Sequence, residues 1–102
     1  MEHMLYFSSE AEVALGSLQN HYRKKVSRRI VMMIAGHFQD TRSIGAGLLE
    51  LRIHTGPGIR IYYCWHRGSI VILYLGTKHH QDANIMRAKK LLKQLKENNN
   101  GS

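Results

Sequence analysis

From Leu49 to His54 the chain alternates apolar Leu49, Leu51 and Ile53 with polar Glu50, Arg52 and His54, then meets Gly56-Pro57-Gly58. Period-two alternation marks a half-buried strand. Proline fixes φ and the flanking glycines permit positive φ, so Gly56-Pro57-Gly58 must turn the chain. Ile59 to Trp65 reads as the returning strand, with His66-Arg67-Gly68 as the next hairpin loop. Residues 70–75, apolar on both faces, read as a central buried strand.

The first half of the chain has a different period. Leu5-Tyr6-Phe7 is a short strand candidate, and Ser9 with Glu12 has capping-box spacing. That spacing predicts a helix from about residue 10 to Gln19 with Val13, Ala14 and Leu18 inward. From His21 a second helix is expected, because Val26, Ile30, Met33, Ile34 and His37 share one helical face, and Gly36 marks its end. The last element is also helical, with Ile85, Ala88, Leu92 and Leu95 on one face and lysines on the other. The order is β-α-α-β-β-β-α, an α+β domain with two N-terminal helices packed on a mainly antiparallel sheet and a C-terminal helix.

A chain of 102 residues with 43% hydrophobic and 22% charged residues can hold one modest core and lies far from disordered compositions. A single domain is expected over residues 1–97, followed by a disordered tail at residues 98–102. Fifteen Lys+Arg against seven Asp+Glu leave a formal charge of +8, which favours polyanionic partners, nucleic acid first, then an anionic membrane or an acidic protein. The lone Cys64 cannot form an intrachain disulfide and reads as a small strand residue, as suits a reducing compartment. The acidic amino terminus is unlike a signal peptide, and residues 70–75 are too few to span a bilayer. A soluble, cytoplasmic protein without a membrane partner is expected. The seven histidines show none of the paired spacings of zinc sites, and no metal or cofactor is expected.

The stretch Leu51-Arg52-Ile53-His54-Thr55-Gly56-Pro57-Gly58-Ile59-Arg60-Ile61-Tyr62-Tyr63 closely resembles the signature of RelE/ParE toxins of the HigB-like, addiction-module-killer branch. Gly76, Lys78 and Gln81-Asp82 extend the resemblance into the segment after the third hairpin strand. It covers residues 46–95 by motif and residues 1–45 by layout. Thr55 and Ile59 stand where the family usually has tyrosines, Thr77 where it has Asp, His79-His80 where it has Ser-Thr, and Asn84 where ribonuclease members often have Tyr or His.

The resemblance implies the toxin of a bacterial type II toxin–antitoxin pair, acting as a ribosome-dependent, metal-independent mRNA endonuclease. Its partners would be a cognate antitoxin, of helix-turn-helix type in many members of this branch, together with the ribosome and mRNA. A ParE-like gyrase inhibitor without catalysis, and a degenerate non-toxic member that only binds, are the alternatives that fold alone does not separate.

RNA-cutting members are understood to promote attack of a ribose 2′-hydroxyl on the adjacent phosphate, which needs cations aimed at the phosphorus and a proton carrier. By period two, Arg52 and His54 share one strand face, and Arg60, Tyr62 and Cys64 share one face of the partner. If these are one sheet face, Arg52, His54 and Arg60 converge at the turn and Lys78 completes the cluster. Arg60 would stabilise transition-state charge, Arg52 and Lys78 would bind phosphate, and His54 would carry the proton. The same residues would otherwise be outward side chains that keep a sheet face soluble, and Arg60 reads as one whose truncation leaves the fold nearly intact. His79 and His80 are further candidates at the start of the last helix, or else solvated loop residues. Arg23, Lys24, Lys25, Arg28 and Arg29 form an unbalanced basic run suited to RNA or an acidic antitoxin segment, with a solvated helix face as the plainer alternative, and Tyr62 joins the RNA-contact set.

Overall fold

The computed structural model describes residues 2–100. The chain runs β1 (Leu5–Phe7), α1 (Ser9–Gly16), α2 (Asn20–Ile34), β2 (Thr41–Gly45), β3 (Leu48–Ile53), β4 (Ile59–His66), β5 (Ser69–Thr77), a short 3₁₀ turn (Lys78–His80) and α3 (Gln81–Asn100). The strands form one sheet in the order β1-β5-β4-β3-β2. Among the described residues the β1–β5 pair is parallel and the other three pairs are antiparallel.

The expected α+β class and the mainly antiparallel sheet are found, with one strand more than expected. Thr41-Arg42-Ser43-Ile44-Gly45 forms β2, an edge strand paired to β3 with Arg42 opposite Glu50. The first helix begins one residue early. Ser8, not Ser9, is its cap: the Ser8 hydroxyl accepts from Ala11 N at 3.0 Å and donates to Leu73 O at 2.6 Å, which ties the helix start to β5. That phase buries Ala11 and leaves Val13 70% exposed, so Val13 is an outward residue and not an inward one. His37, expected on the inner face of α2, is exposed beyond the helix end, where Gly36 takes φ 96°. α3 continues to Asn100, so of the expected tail at 98–102 residues 98–100 are helical, and Gly101 and Ser102 lie outside the described residues.

The sheet carries a core on each face. Leu51, Ile59, Ile61, Tyr63, Ile70, Ile72 and Leu75 pack with Val26, Ile30 and Met33 of α2 and Ala11 of α1. Leu48, Tyr62, Cys64 and Leu73 pack with Ala88 and Leu92 of α3. A bulge between Tyr62 and Tyr63 shifts the β4–β5 register, so that Tyr62 opposes Tyr74 and Tyr63 opposes Ile72. Strict alternation from Ile72 would turn Leu75 toward α3, and the extra residue returns it to the α1/α2 core.

Candidate active site

β3 and β4 pair with Arg52 opposite Arg60 and Glu50 opposite Tyr62, so the four side chains share one sheet face. α3 covers the Tyr62 end of that face. The end nearest the Gly56-Pro57-Gly58 turn is left open as a cleft of about 390 Å³, lined by Arg52, His54, Arg60 and Lys78 together with Gly56 and Gly58. All four residues assigned from sequence to the chemistry therefore line one cleft.

The turn gives the cleft its shape. Gly58 sits at φ 69°, and its N–H returns to Thr55 O. A Cβ there would meet Lys78 Cδ at 3.3 Å and Arg60 Nη1 at 3.5 Å, so glycine lets both cationic side chains lie across the turn. Lys78 N donates to Gly58 O at 2.8 Å, which pins the start of the 3₁₀ turn to the hairpin. On the other side, the Tyr22 ring of α2 closes against Gly56 so tightly that a Cβ would collide with it.

Beneath the cations lies Glu50, a fully buried acid. Its carboxylate accepts from Arg42 Nε at 2.7 Å and from Gln81 Nε2 at 3.0 Å. Arg52 Nε and Arg60 Nε approach it at 3.5 and 3.7 Å. Burial by itself would raise the Glu50 pKa; the hydrogen bonds from Arg42 and Gln81, the Arg42 charge and the nearby Tyr62 hydroxyl outweigh it and hold the carboxyl below its ordinary value. The opposite happens at Tyr62, where burial and then the Glu50 charge push the phenol far above its usual range. Tyr62 Oη faces the carboxylate, but like Arg52 Nε and Arg60 Nε it has no well-formed hydrogen bond. At 3.5 and 3.7 Å the two arginine contacts are electrostatic rather than hydrogen-bonded.

Two sequence expectations are corrected by this packing. Tyr62 is fully buried under α3 and offers no ring to RNA. Arg60 is not an outward strand residue: its side chain is 13% exposed, with Nε 3.7 Å from the buried Glu50 carboxylate.

The remaining candidates divide by position. His54 is 70% exposed at the cleft rim, with Nε2 3.7 Å from Asp40 Oδ2. Of the basic run on α2, Lys25 reaches the turn, donating to Thr55 Oγ1 at 2.9 Å. Arg23 is drawn to Gly16 O and Asn20 Oδ1 at the helix start, and Arg29 donates to the carbonyls of His37 and Gln39. Lys24 and Arg28 are exposed. His79 and His80 are exposed in the 3₁₀ turn, lining a second depression that shares Lys78 with the first. Cys64 is buried, and burial pushes its thiol pKa up. Among the described residues no group of three or more His, Cys, Asp or Glu is placed to hold a metal ion. Among the same residues no helix is long and apolar enough to cross a membrane.

Sequence reasoning missed Glu50, Arg42, Gln81 and Asp40. Glu50 carried a signal, an acid on the same strand face as Arg52 and His54, whereas Arg42 lay in a strand that was not expected.

No family model matches the chain. Solved structures of toxin RelE resemble it over nearly their whole length. An arginine double mutant of E. coli RelE in the free state superposes with a TM-score of 0.66 at 13% identity, over 85% of this chain and 98% of that one. The toxin in the intact E. coli RelBE toxin–antitoxin complex gives 0.64 at 14% identity, over 74% and 95%. The archaeal RelE–RelB complex from Pyrococcus horikoshii gives 0.58 at 17% identity, over 76% and 97%. The fold is therefore that of the RelE toxins, as the sequence resemblance implied. By sequence the chain is 40% identical over 83 residues to an uncharacterized protein of Haemophilus influenzae, covering 79% of this chain and 84% of that protein. The chain belongs to one family with that protein.

Proposed function

We propose that this protein is a toxin of the RelE/ParE superfamily, of the HigB-like branch, that cleaves mRNA on the ribosome in the cytoplasm and is neutralised by a small antitoxin. The observation that supports it best is the convergence of Arg52, His54, Arg60 and Lys78 on one open cleft beside a tight glycine turn. The RelE fold supports the antitoxin partner, since related structures are of RelE–RelB complexes. A helix-turn-helix antitoxin is in keeping with the HigB-like signature.

A phosphodiester seated in the cleft meets a guanidinium from each of two strands and the ammonium of Lys78. The 2′-hydroxyl of the preceding ribose attacks phosphorus as its proton passes to His54 at the rim, whose Nε2 lies 3.7 Å from Asp40 Oδ2. Arg60 takes up the negative charge that builds on the equatorial oxygens, and Arg52 and Lys78 hold the phosphate. The P–O5′ bond breaks, leaving a 2′,3′-cyclic phosphate and a 5′-oxygen that takes a proton from water, while His54 returns its own proton to solvent. Lys25 at Thr55 extends the basic surface along the approaching strand.

The test adds purified protein to a bacterial translating extract with a defined mRNA, maps ends by primer extension, and runs a gyrase supercoiling assay in parallel. Discrete cuts with cyclic phosphate ends are expected. Intact mRNA with blocked supercoiling would replace this reading by a gyrase inhibitor; no effect in either assay would leave a binding-only family member.

A further inference from the structure

We propose that Glu50 is the positioning residue of this cleft: its buried carboxylate draws Arg52 and Arg60 together into one clamp for a phosphate. The inference rests on the nuclease reading for its consequence, though not for its geometry.

Arg52 and Arg60 stand directly opposite each other on antiparallel strands, where like charges repel. Left alone, two such guanidiniums would splay apart into water. Glu50 lies one strand repeat back on the same face, within 3.5 Å of Arg52 Nε and 3.7 Å of Arg60 Nε. Both Nε atoms are buried without a hydrogen-bond partner, so attraction to this carboxylate draws them inward, while at its outer end Arg60 Nη1 lies 3.5 Å from the Gly58 carbonyl of the turn. The inward pull on Nε orients each fork along the wall of the cleft that both residues line.

The carboxylate cannot follow the arginines outward, because two short bonds hold it from behind. Arg42 Nε on β2 and Gln81 Nε2 at the start of α3 fix its two oxygens separately. The anchor thus draws on three elements, β2, β3 and α3, none of which contributes the turn. A stabilising role alone is a poor explanation for the residue. An apolar side chain between sheet and helix would avoid the desolvation of a charge, and buried ion pairs are often no better for stability than such replacements. What an apolar residue would not do is set the separation and direction of two facing guanidiniums, which a bidentate phosphate contact requires.

Two measurements on the full chain test this. The first reads Arg Nε–H signals by NMR in the wild type: Arg52 and Arg60 should exchange with water far more slowly than free arginine, and in Glu50→Gln both should speed up. The second reads cleavage on ribosomes, where Glu50→Gln should lower kcat by about 100-fold while KM moves little, as displacement of a preorganised group does. In an Arg60→Ala background the same substitution should cost much less, because it acts through the arginine it positions. Full kcat in a folded Glu50→Gln protein, or losses that multiply independently, would overturn the proposal. So would fast Nε–H exchange at Arg52 and Arg60 in the wild type, which needs no variant to fold. A wild type with slow exchange and no cleavage would retain the clamp and remove the nuclease reading.

Discussion

Replacing Arg60 by alanine should separate what the side chain does for the fold from what it does for the reaction. The guanidinium is 13% exposed, so its packed stem matters: two lost methylenes at about 0.8 kcal/mol each are partly buried. Loss of the Glu50 contact adds a further cost, held to about 1 kcal/mol because Arg42, Gln81 and Arg52 still face the carboxylate. Relief of the Arg52–Arg60 repulsion returns roughly 0.5 kcal/mol. A net destabilisation of about 2 kcal/mol follows, which for a domain of this size lowers Tm by roughly 10 °C. Cleavage should fall further, by about 10²–10³, as for loss of one preorganised transition-state donor. Arg60→Lys keeps the stem and the charge, so it should restore most of the stability and little of the activity, an ammonium being unable to supply a fork. Thermal unfolding by circular dichroism and mRNA cleavage on ribosomes give the two quantities. Near-wild-type cleavage by either variant would remove Arg60 from the chemistry, and an unchanged Tm for Arg60→Ala would mean that the Glu50 contact carries no weight.

The basic run on α2 should divide by residue in a salt titration of binding to a single-stranded oligoribonucleotide. Lys25→Ala should reduce the log–log slope by about 0.7, and Arg29→Ala, whose guanidinium serves the carbonyls of His37 and Gln39, should lower Tm with the slope unchanged; equal slopes for both would refute the division. Gly56→Ala should cost about 1–3 kcal/mol in urea unfolding, since φ is 28° and the Tyr22 ring fills the space of a Cβ; wild-type stability would show that the turn does not rest on Tyr22. Because the Glu50 carboxyl is held below its ordinary pKa, its contribution to stability is present above the ordinary carboxylate range and is lost as pH falls through the depressed value. The acid limb of a Tm-against-pH curve should therefore be shallower in Glu50→Gln, and superimposable limbs would contradict the lowered pKa.

The hairpin and the helices were readable because their patterns are periodic and local. Alternation from Leu49 to Ile53 and the Gly56-Pro57-Gly58 turn mark two paired strands and the polar face of each, and the register that sets Arg52 opposite Arg60 puts those two faces on one side of the sheet. β2 escaped because Thr41-Arg42-Ser43-Ile44-Gly45 is an edge strand with one large apolar residue, and its pairing to β3 is supplied by the partner and not by its own pattern. The phase of α1 was misjudged for a similar reason. In sequence Ser9 has the capping-box partner Glu12 and Ser8 has none; the bond from the Ser8 hydroxyl to Leu73, 65 residues away, favours Ser8 instead. Once Ser8 caps the helix, Ala11 and not Val13 meets the core.

The site shows the same limit at higher stakes. Period two says which residues share a face but not what covers it, so Glu50, Arg60 and Tyr62 read alike as outward polar groups. α3 then divides that face. Under the helix lie Tyr62 and Cys64; beyond it Arg52, His54 and Lys78 stay within reach of a ligand. Glu50 marks the boundary, and the residue that fixes it there from the helix is Gln81, 31 positions further along the chain. Where α3 begins therefore decides which cations are held by the protein and which face the cleft. A strand alternation that looks uniform becomes half core and half binding surface only when the last helix docks.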